Sequence, residues 1–281
     1  LETTRVKIPF GIAQVGKAFR NEITPGNFIF RTREFEQAEI EWFIDPEDKK
    51  KSPDFWFETW VNLWMKFFLD LGVNKKNLKF RPHEKKELAH YSKATTDIEY
   101  NFPFGWDELA GISNRTDFDL TNHEKKSGKD MRYFDEASKR KYIPYVIEPT
   151  LWIDRAILAL MCDGYVEEKV NNDNRVVFKI SPSLAPVKVA ILPLVKDKKL
   201  IKIAKKLFKE IKEAGMAVEY DESGTIGRRY RRQDEIGTPW CITIDFDSLK
   251  DKKATIRDRD TLKQKRIKIS EIKNWVIKEL R

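Results

Sequence analysis

Arginines and acidic residues crowd together beside aromatic side chains in the stretch that runs from Arg20 to Glu41. These 22 residues hold three arginines and five acids. A guanidinium grips phosphate oxygens through two parallel hydrogen bonds, so arginines fixed on strands suit a polyphosphate ligand. The alternative is an exposed hairpin held by surface ion pairs, because such pairs contribute little to stability and need no ligand.

The elements that must position these charges are two runs rich in aromatic and β-branched residues. The runs flank Thr24-Pro25-Gly26-Asn27, a segment of turn-forming residues. This pattern predicts an antiparallel hairpin over residues 17–43. Residues 5–16 predict a strand and a glycine-containing turn that lead into the hairpin.

The hairpin sequence resembles motif 2 of the class II aminoacyl-tRNA synthetases, and within that class the glycyl-tRNA synthetases. The resemblance is carried by FRNE, which ends at Glu22, and by RTREFEQAEIE, which ends at Glu41. It implies that Arg20 holds the α-phosphate of ATP and the carboxylate being activated, and that Glu22 contacts the adenine side. Arg31 is expected near the γ-phosphate, and Phe35 under the adenine. The remaining nucleotide contacts expected here are Asn21, Phe30, Thr32, Arg33 and Glu34.

A second string, WDELAGISNRTDFDL, resembles the strand of this family whose Glu-Leu pair touches ATP. The resemblance implies that Glu108 and Leu109 are nucleotide contacts and that Glu108 is a Mg²⁺ ligand. A carboxylate that faces a triphosphate needs a cation between them, because like charges repel. Without the resemblance, an acid in a strand is more often the partner of an ion pair.

Residues 142–161 predict a strand that runs into a helix, and they resemble motif 3. There the arginine, Arg155 here, lies over the adenine face opposite Phe35, in a sandwich that combines stacking and a cation–π contact. Arg20 and Arg155 are therefore the expected catalytic residues. Trp152 and Asp154 complete the expected ATP contacts.

The motif 3 strand departs from the family at one position. The family has Glu-Pro-Ser-x-Gly, whereas this chain has Glu148-Pro149-Thr150-Leu151-Trp152. Threonine keeps the serine hydroxyl. Tryptophan places a large ring where the family has a close approach of the backbone.

The resemblance also implies an acidic pocket for glycine. Glu39 and Glu148 are expected to bind the α-ammonium group, which offers three donors and needs fixed acceptors. Thr150 is expected to close the pocket. The other residues expected around the amino acid are Phe35, Glu36, Gln37, Ala38 and Trp152.

The excess positive charge lies in the C-terminal third of the chain. Residues 186–281 hold 25 Lys and Arg against 15 Asp and Glu, whereas the first 185 residues hold 29 against 30. Strands alternate with helices there, which predicts an α/β domain, and the sequence resembles the anticodon-binding domain of the same synthetases. The expected tRNA contacts are Arg228, Arg229, Tyr230, Arg231 and Arg232. A lysine-rich solvated surface, or a helix that packs on the catalytic domain, is the alternative.

The predicted architecture is a partial α+β antiparallel catalytic core of the class II synthetase type over residues 1–183, lacking the motif 1 side, and an α/β anticodon-binding domain over 184–281. The predicted function is glycine–tRNA ligase, which uses ATP and Mg²⁺ to form glycyl-adenylate and transfers glycine to tRNA(Gly) without a protein nucleophile. The expected protein partner is a second copy of the chain or a separate chain carrying the N-terminal half. The alternatives are a nucleic-acid-binding accessory subunit that has lost catalysis, and a half-enzyme active only in a complex.

Cysteine content and hydropathy bear on localisation. Two cysteines distant in sequence give neither a disulfide framework nor a zinc pattern, which favours a reducing, cytoplasmic setting. No apolar run approaches the roughly 20 residues that span a bilayer, so no membrane association is expected.

Overall fold

The computed structural model describes residues 6–170 and 172–280. The chain forms two compact units, Leu1–Cys162 and Asp163–Arg281. The sequence prediction places the boundary between the catalytic and the anticodon-binding domain at 183/184. That boundary divides the chain by function rather than by compactness, and it stays a prediction. No helix among the described residues is long and apolar enough to cross a membrane.

The first unit is built on a six-stranded antiparallel sheet, with hydrogen-bonded order β1-β2-β8-β5-β4-β3. A separate short pair, β6-β7, lies outside it. The strands are β1 (Phe10–Phe19), β2 (Glu34–Ile44), β3 (Leu78–Pro82), β4 (Ala94–Phe102), β5 (Gly105–Thr116), β6 (Tyr133–Asp135), β7 (Arg140–Tyr142) and β8 (Tyr145–Trp152).

Helices α1 (Pro53–Asp70), α2 (Phe118–Ser127) and α3 (Ile153–Gly164) accompany the sheet, and a 3-10 turn spans Lys75–Asn77. Ser52 caps α1 by accepting a hydrogen bond from the backbone N–H of Phe55. Gly72, with a positive φ of 94°, follows Leu71, the residue at the C-terminal cap of α1. The tryptophans of α1 pack against the core, which includes Ile98 and Ile112.

The predicted hairpin is present, but its strands lie further apart in sequence than the Pro-Gly-Asn signal suggested. β1 pairs with β2 from Phe10–Phe43 to Phe19–Glu34. Residues 20–33 connect the two strands, with one isolated bridge between Gly26 and Arg31. The turn expected within residues 5–16 is wrong, because both of its glycines lie inside β1.

The second unit contains a five-stranded sheet of order β12-β11-β13-β14-β15, in which β11 runs parallel to β12 and β13. Its strands are β9 (Tyr165–Val170), β10 (Asp173–Phe178), β11 (Val189–Pro193), β12 (Val218–Tyr220), β13 (Trp240–Ile244), β14 (Lys253–Asp258) and β15 (Gln264–Lys268). Its helices are α4 (Lys198–Glu213), α5 (Ile226–Glu235), α6 (Phe246–Asp251) and α7 (Ile269–Glu279). β9 and β10 form a separate hairpin.

Alternate residues of β11 face opposite sides of this sheet. Val189 and Ile191 pack with the apolar faces of α4 and α7, whereas Ala190 and Leu192 pack with residues of α5. α4 and α5 therefore cover opposite faces. The alternation of strands and helices that the sequence predicts for this region is present.

Candidate active site

Four neighbouring strands of the first unit line an open cavity of about 510 Å³. Side chains alternate across a strand, so every second residue of β2 and of β8 faces the cavity. Strand pairing aligns these residues in rows. One row runs across β2, β8, β5 and β4 through Glu39, Thr150, Gly111 and Asp97. The cavity therefore collects polar groups from segments far apart in sequence.

A β-bulge places Glu108 on the cavity side of β5. The pairing with β4 shifts between Ile98, which opposes Ala110, and Glu99, which opposes Glu108, so Leu109 is the extra residue. Leu109 is fully buried in the core, while Glu108 lines the cavity with Gly111. A Cβ on Gly111 would lie 3.3 Å from Glu108 Oε1, so the glycine leaves room for that carboxylate.

Three carboxylates, Glu39, Glu41 and Glu148, present oxygens within 4.8 Å of one another at one end of the cavity. Burial, together with the charge of Glu148, raises the pKa of Glu41 to about 7. Burial raises the pKa of Glu148 to about 7 despite the opposing field of Arg115, whose Nη1 donates to Glu148 Oε2 at 2.7 Å. Burial and mutual repulsion disfavour three negative charges here, and a bound cation would relieve the repulsion.

Neighbouring carboxylates also shift the pKa of Arg115. Burial acts to lower its pKa, but the hydrogen bond to Asp119 and the field of Glu148 raise it on balance. Its guanidinium also lies 4.0 Å from the ring centroid of Tyr91. Arg115 therefore stays charged and holds Glu148 in place.

Residues that the sequence predicts to contact ATP converge at the other end of the cavity, around Trp152. Arg155, which is 8% exposed, donates from Nε to the Phe30 carbonyl at 3.1 Å and from Nη1 to Glu108 Oε2 at 3.1 Å. Burial lowers the pKa of Arg155 against the field of Glu108. Arg20 and Arg155 both lie against the Trp152 ring, at 4.4 and 4.2 Å from its centroid.

Several predicted contacts point away from the cavity. Alternation along β2 turns Ala38 into the core, and it leaves Glu36 exposed with its backbone N–H donating to Asp154 Oδ2 at 2.7 Å. Phe30 is 4% exposed and packs on Phe102 and Phe104. The side-chain roles expected for Ala38, Glu36 and Leu109 are corrected on this ground. The Arg155 guanidinium lies 4.2 Å from the ring centroid of Phe30, and the ATP contact expected for Phe30 stays a prediction.

The rest of the predicted ATP set lies in the connection that precedes β2. Arg31 and Glu22 border a small space of about 10 Å³, together with Thr32, Phe35, Trp152, Asp154 and Arg155. Arg33 donates from Nε to the Glu22 carbonyl, and Glu34 pairs with Lys17. Asn21 is exposed.

The sequence interpretation did not assign several residues that line the cavity to the site, among them the ionisable Glu41, His83, Asp97 and Arg115. Asp97 is 7% exposed, and its Oδ2 lies 2.6 Å from His83 Nε2. Burial raises the pKa of Asp97 despite the hydrogen bond to His83. Strand alternation would have found Glu41, which is two residues after Glu39 on β2. No pattern near Asp97 in the sequence indicates that β4 contributes to this site.

In the second unit, only part of the predicted tRNA-binding set is accessible. Arg229 is 2% exposed and donates to the carbonyls of Pro193, Leu194 and Asp221. The prediction that Arg229 contacts a tRNA phosphate is therefore wrong. The Tyr230 hydroxyl shares a hydrogen bond with Thr243 Oγ1 at 2.6 Å.

The other three arginines of α5 differ in their partners and exposure. Arg232 pairs with Asp221. Arg228 is exposed and Arg231 is half-buried. Much of the positive surface of this unit instead belongs to α4, with exposed lysines at 198, 199, 202, 205, 206, 209 and 212.

A buried ionic cluster fixes α5 from within. Asp234, which is fully buried, accepts hydrogen bonds from Arg175 Nε at 2.9 Å and from Arg257 Nη1 and Nη2 at 2.8 and 2.9 Å. Arg175 is also fully buried and donates to the Arg259 carbonyl and to Glu168. These arginines serve packing rather than binding.

Comparison with known proteins identifies the class. Residues 188–279 match the family described as "Anticodon binding domain". The fold resembles prolyl-tRNA synthetase from Cryptosporidium parvum, solved with L-proline and AMP, with a TM-score of 0.68 at 20% identity over 97% of this chain and 56% of that one. The protein has the fold of a class II aminoacyl-tRNA synthetase core followed by an anticodon-binding domain, as predicted.

Sequence relatives narrow the class. The chain is 56% identical to glycine–tRNA ligase from Caldanaerobacter subterraneus subsp. tengcongensis over 279 residues, which are 99% of this chain and 59% of the relative. It is 57% identical to glycine–tRNA ligase from Acetivibrio thermocellus over 274 residues, which are 97% of this chain and 58% of the relative. The chain is therefore a homologue of the glycine–tRNA ligases, and it spans less than two thirds of their length.

Proposed function

We propose that this chain carries the ATP- and glycine-binding part of a glycine–tRNA ligase. The observation that supports this most directly is one cavity lined by Arg20, which follows β1, and by the carboxylates of Glu39 and Glu148 on the adjoining strands β2 and β8. The homologues favour this function over an accessory subunit that has lost catalysis. The domain assignment that goes with it is a catalytic region over 1–183 and an anticodon-binding domain over 184–281.

The acidic end of the cavity is suited to the ammonium group of glycine. A cation would relieve the repulsion among three carboxylates within 4.8 Å of one another, and an ammonium group supplies one with three donors. Glu39 and Glu148 accept from it, and Thr150 lies beside them on the floor of the cavity. Gln37 completes the β2 side, with Nε2 donating to Glu39 Oε2 at 2.7 Å.

Adenylate formation then needs positioning and charge stabilisation rather than a protein nucleophile. An oxygen of the glycine carboxylate attacks the α-phosphorus of ATP, and the bond to pyrophosphate breaks. Arg20, exposed at the mouth of the cavity, is placed to stabilise the negative charge that develops on the α-phosphate. In the second step a ribose hydroxyl at the tRNA 3′ end attacks the glycyl carbonyl, and AMP leaves.

The donor set around Glu108 does not fit a Mg²⁺ ligand in the observed arrangement. Trp152 Nε1 donates to Glu108 Oε1 at 3.2 Å, and Arg155 Nη1 donates to Oε2 at 3.1 Å. A metal at this carboxylate would compete with both donors and be repelled by the guanidinium. No step is therefore assigned to Mg²⁺ here.

The proposal extends to tRNA(Gly) as the partner of the second unit, with the exposed Arg228 and the half-buried Arg231 as cationic residues of α5 that can reach it, beside Arg232, which is exposed but paired with Asp221. A second copy of the chain, or a chain carrying the remaining part of the enzyme, is the proposed protein partner. The cytoplasm is the proposed location.

Glycine-dependent pyrophosphate–ATP exchange tests the function directly. The chain is assayed alone and with protein fractions from its source cells, with alanine replacing glycine as a specificity control. Exchange that depends on glycine, and that Arg20→Ala abolishes while tRNA binding is retained, is the expected result. The matched control is Arg140→Ala, which removes a surface arginine paired with Asp45 and Glu47. Absence of exchange under both conditions, with nucleic-acid binding retained, would favour the accessory-subunit function.

A further inference from the structure

Trp152 is the point at which this chain departs from the motif 3 pattern, and it is also the point on which the predicted ATP residues converge. Its ring centroid lies 4.6 Å from that of Phe35, and the guanidinium of Arg155 lies 4.2 Å from its ring centroid. Its Nε1 donates to Glu108 Oε1 at 3.2 Å. Arg20 covers the ring at 4.4 Å. Trp152 is only 6% exposed.

These contacts involve the same two residues that the resemblance places on either side of adenine, with the Phe35 and Trp152 rings tilted by 37° to each other. There the base is expected between Phe35 and Arg155, held by stacking and by a cation–π contact. Here the indole, which is also a flat bicyclic aromatic ring, contacts both residues. The space left beside it amounts to about 10 Å³, roughly one water-sized sphere, and is far too small for a purine.

We propose that the indole of Trp152 is a built-in occupant of the base-binding slot, and that ATP binds only after this ring has moved out. The inference rests on the proposed function, because it takes the slot between Phe35 and Arg155 as the adenine site. ATP and the indole compete for the same aromatic face and the same guanidinium. Trp152 therefore sets the affinity of the chain for the nucleotide.

Trp152 borders the open cavity, so its ring has space to move into. It is the last residue of β8, directly before α3, and it lines both the small space and the open cavity of about 510 Å³. Rotation toward the open cavity exchanges contacts with Phe35 and Arg155 for contacts with solvent. The same movement removes one donor from Glu108, which would ease binding of a cation at that carboxylate.

The competing explanation is that Trp152 only fills the core. The two explanations make opposite predictions for a smaller side chain. If the ring occupies the base slot, its removal opens a cavity of the shape of a flat ring between Phe35 and Arg155, and nucleotide affinity rises. If the ring only supports the fold, its removal lowers stability and leaves nucleotide affinity unchanged or weaker.

Equilibrium dialysis with labelled ATP measures the difference. Variants Trp152→Gly and Trp152→Phe are compared with the unmodified chain, and Trp106→Gly controls for loss of a tryptophan from β5 outside the slot. If the open slot is populated in about 10% of molecules or fewer, Trp152→Gly should bind ATP at least about tenfold more tightly. Trp152→Phe should lie between the two, and Trp106→Gly should match the unmodified chain.

The outcomes separate this inference from the proposed function. ATP binding by the unmodified chain that Trp152→Gly does not improve overturns the inference and leaves the function standing. Absence of ATP binding in every variant overturns both.

A second measurement needs no glycine variant. The indole N–H of Trp152, assigned in a nitrogen-15 NMR spectrum by its loss in Trp152→Phe, should shift on ATP saturation as its hydrogen bond to Glu108 breaks. An unchanged signal at saturation overturns the inference.

Discussion

Replacing Glu41 by glutamine should remove a pH-dependent penalty from the fold of the first unit. Glutamine keeps the shape of the protonated carboxyl group but cannot ionise. Burial and the charge of Glu148 raise the pKa of Glu41 from its ordinary value of 4.5 to about 7 in the folded protein. The folded state therefore holds this proton over a range of pH in which the unfolded chain has lost it.

The sign and size of the effect follow from this difference. Because the folded pKa is raised, the stabilisation is complete below pH 4.5 and is lost as the pH rises through 7. At about 1.36 kcal/mol for each pH unit, the upper limit is about 3 kcal/mol, which screening at a half-buried side chain reduces to about 2 kcal/mol. Relative to the unmodified protein, Glu41→Gln should therefore gain about 2 kcal/mol of unfolding free energy between pH 4.5 and 7.5.

Urea unfolding followed by tryptophan fluorescence reports this change, because six of the eight tryptophans lie in the first unit. The matched control is Glu84→Gln, which removes a carboxylate that is 70% exposed. Its unfolding free energy should follow that of the unmodified protein at every pH. Parallel pH curves for Glu41→Gln and the unmodified protein would refute the electrostatic argument for the carboxylate cluster.

Two further substitutions test the second unit. Asp234→Asn removes the charge that neutralises Arg175 and Arg257, and it should lower the unfolding free energy by about 3–5 kcal/mol; a thermal-denaturation loss below about 1 kcal/mol would contradict a buried ionic cluster. Gly237→Ala forces a Cβ to 2.9 Å from the Phe178 ring at a φ of +84°, and it should cost about 1–3 kcal/mol. Gly227→Ala in α5 is its control, because a Cβ there meets nothing within 4 Å and should stabilise the helix by about 0.5–1 kcal/mol; equal effects of the two changes would show that the close contact is unimportant.

Much of the candidate site could be predicted because its residues lie in continuous strings. Arg20, Phe35, Glu39, Glu148 and Arg155 each belong to a motif that can be recognised along the chain, and the structure brings them around one cavity and the small space beside it. The side chains that were misplaced share a different cause. Strand alternation turns every second residue away from the cavity, and the bulge at Leu109 reverses that alternation for one stretch of β5.

The prediction for α5 failed at Arg229 for a related reason. A run of arginines indicates positive charge, but a helix turns each side chain by about 100°, so neighbours face different surroundings. Arg229 faces the ends of strands and satisfies their carbonyls, whereas Arg228 faces solvent. The sequence alone gave no measure of which arginine would be buried.

The sequence by itself determined the class of fold, the order of the elements and the identity of the motif residues, because these depend on local patterns and on strings that relatives share. Only the tertiary structure decided what surrounds Trp152. Its neighbours Phe35, Glu108 and Arg155 come from β2, β5 and α3, and strand pairing over more than a hundred residues brings them together. A ring that looked like an unexplained substitution in the sequence lies, in the folded protein, where the base of ATP is expected.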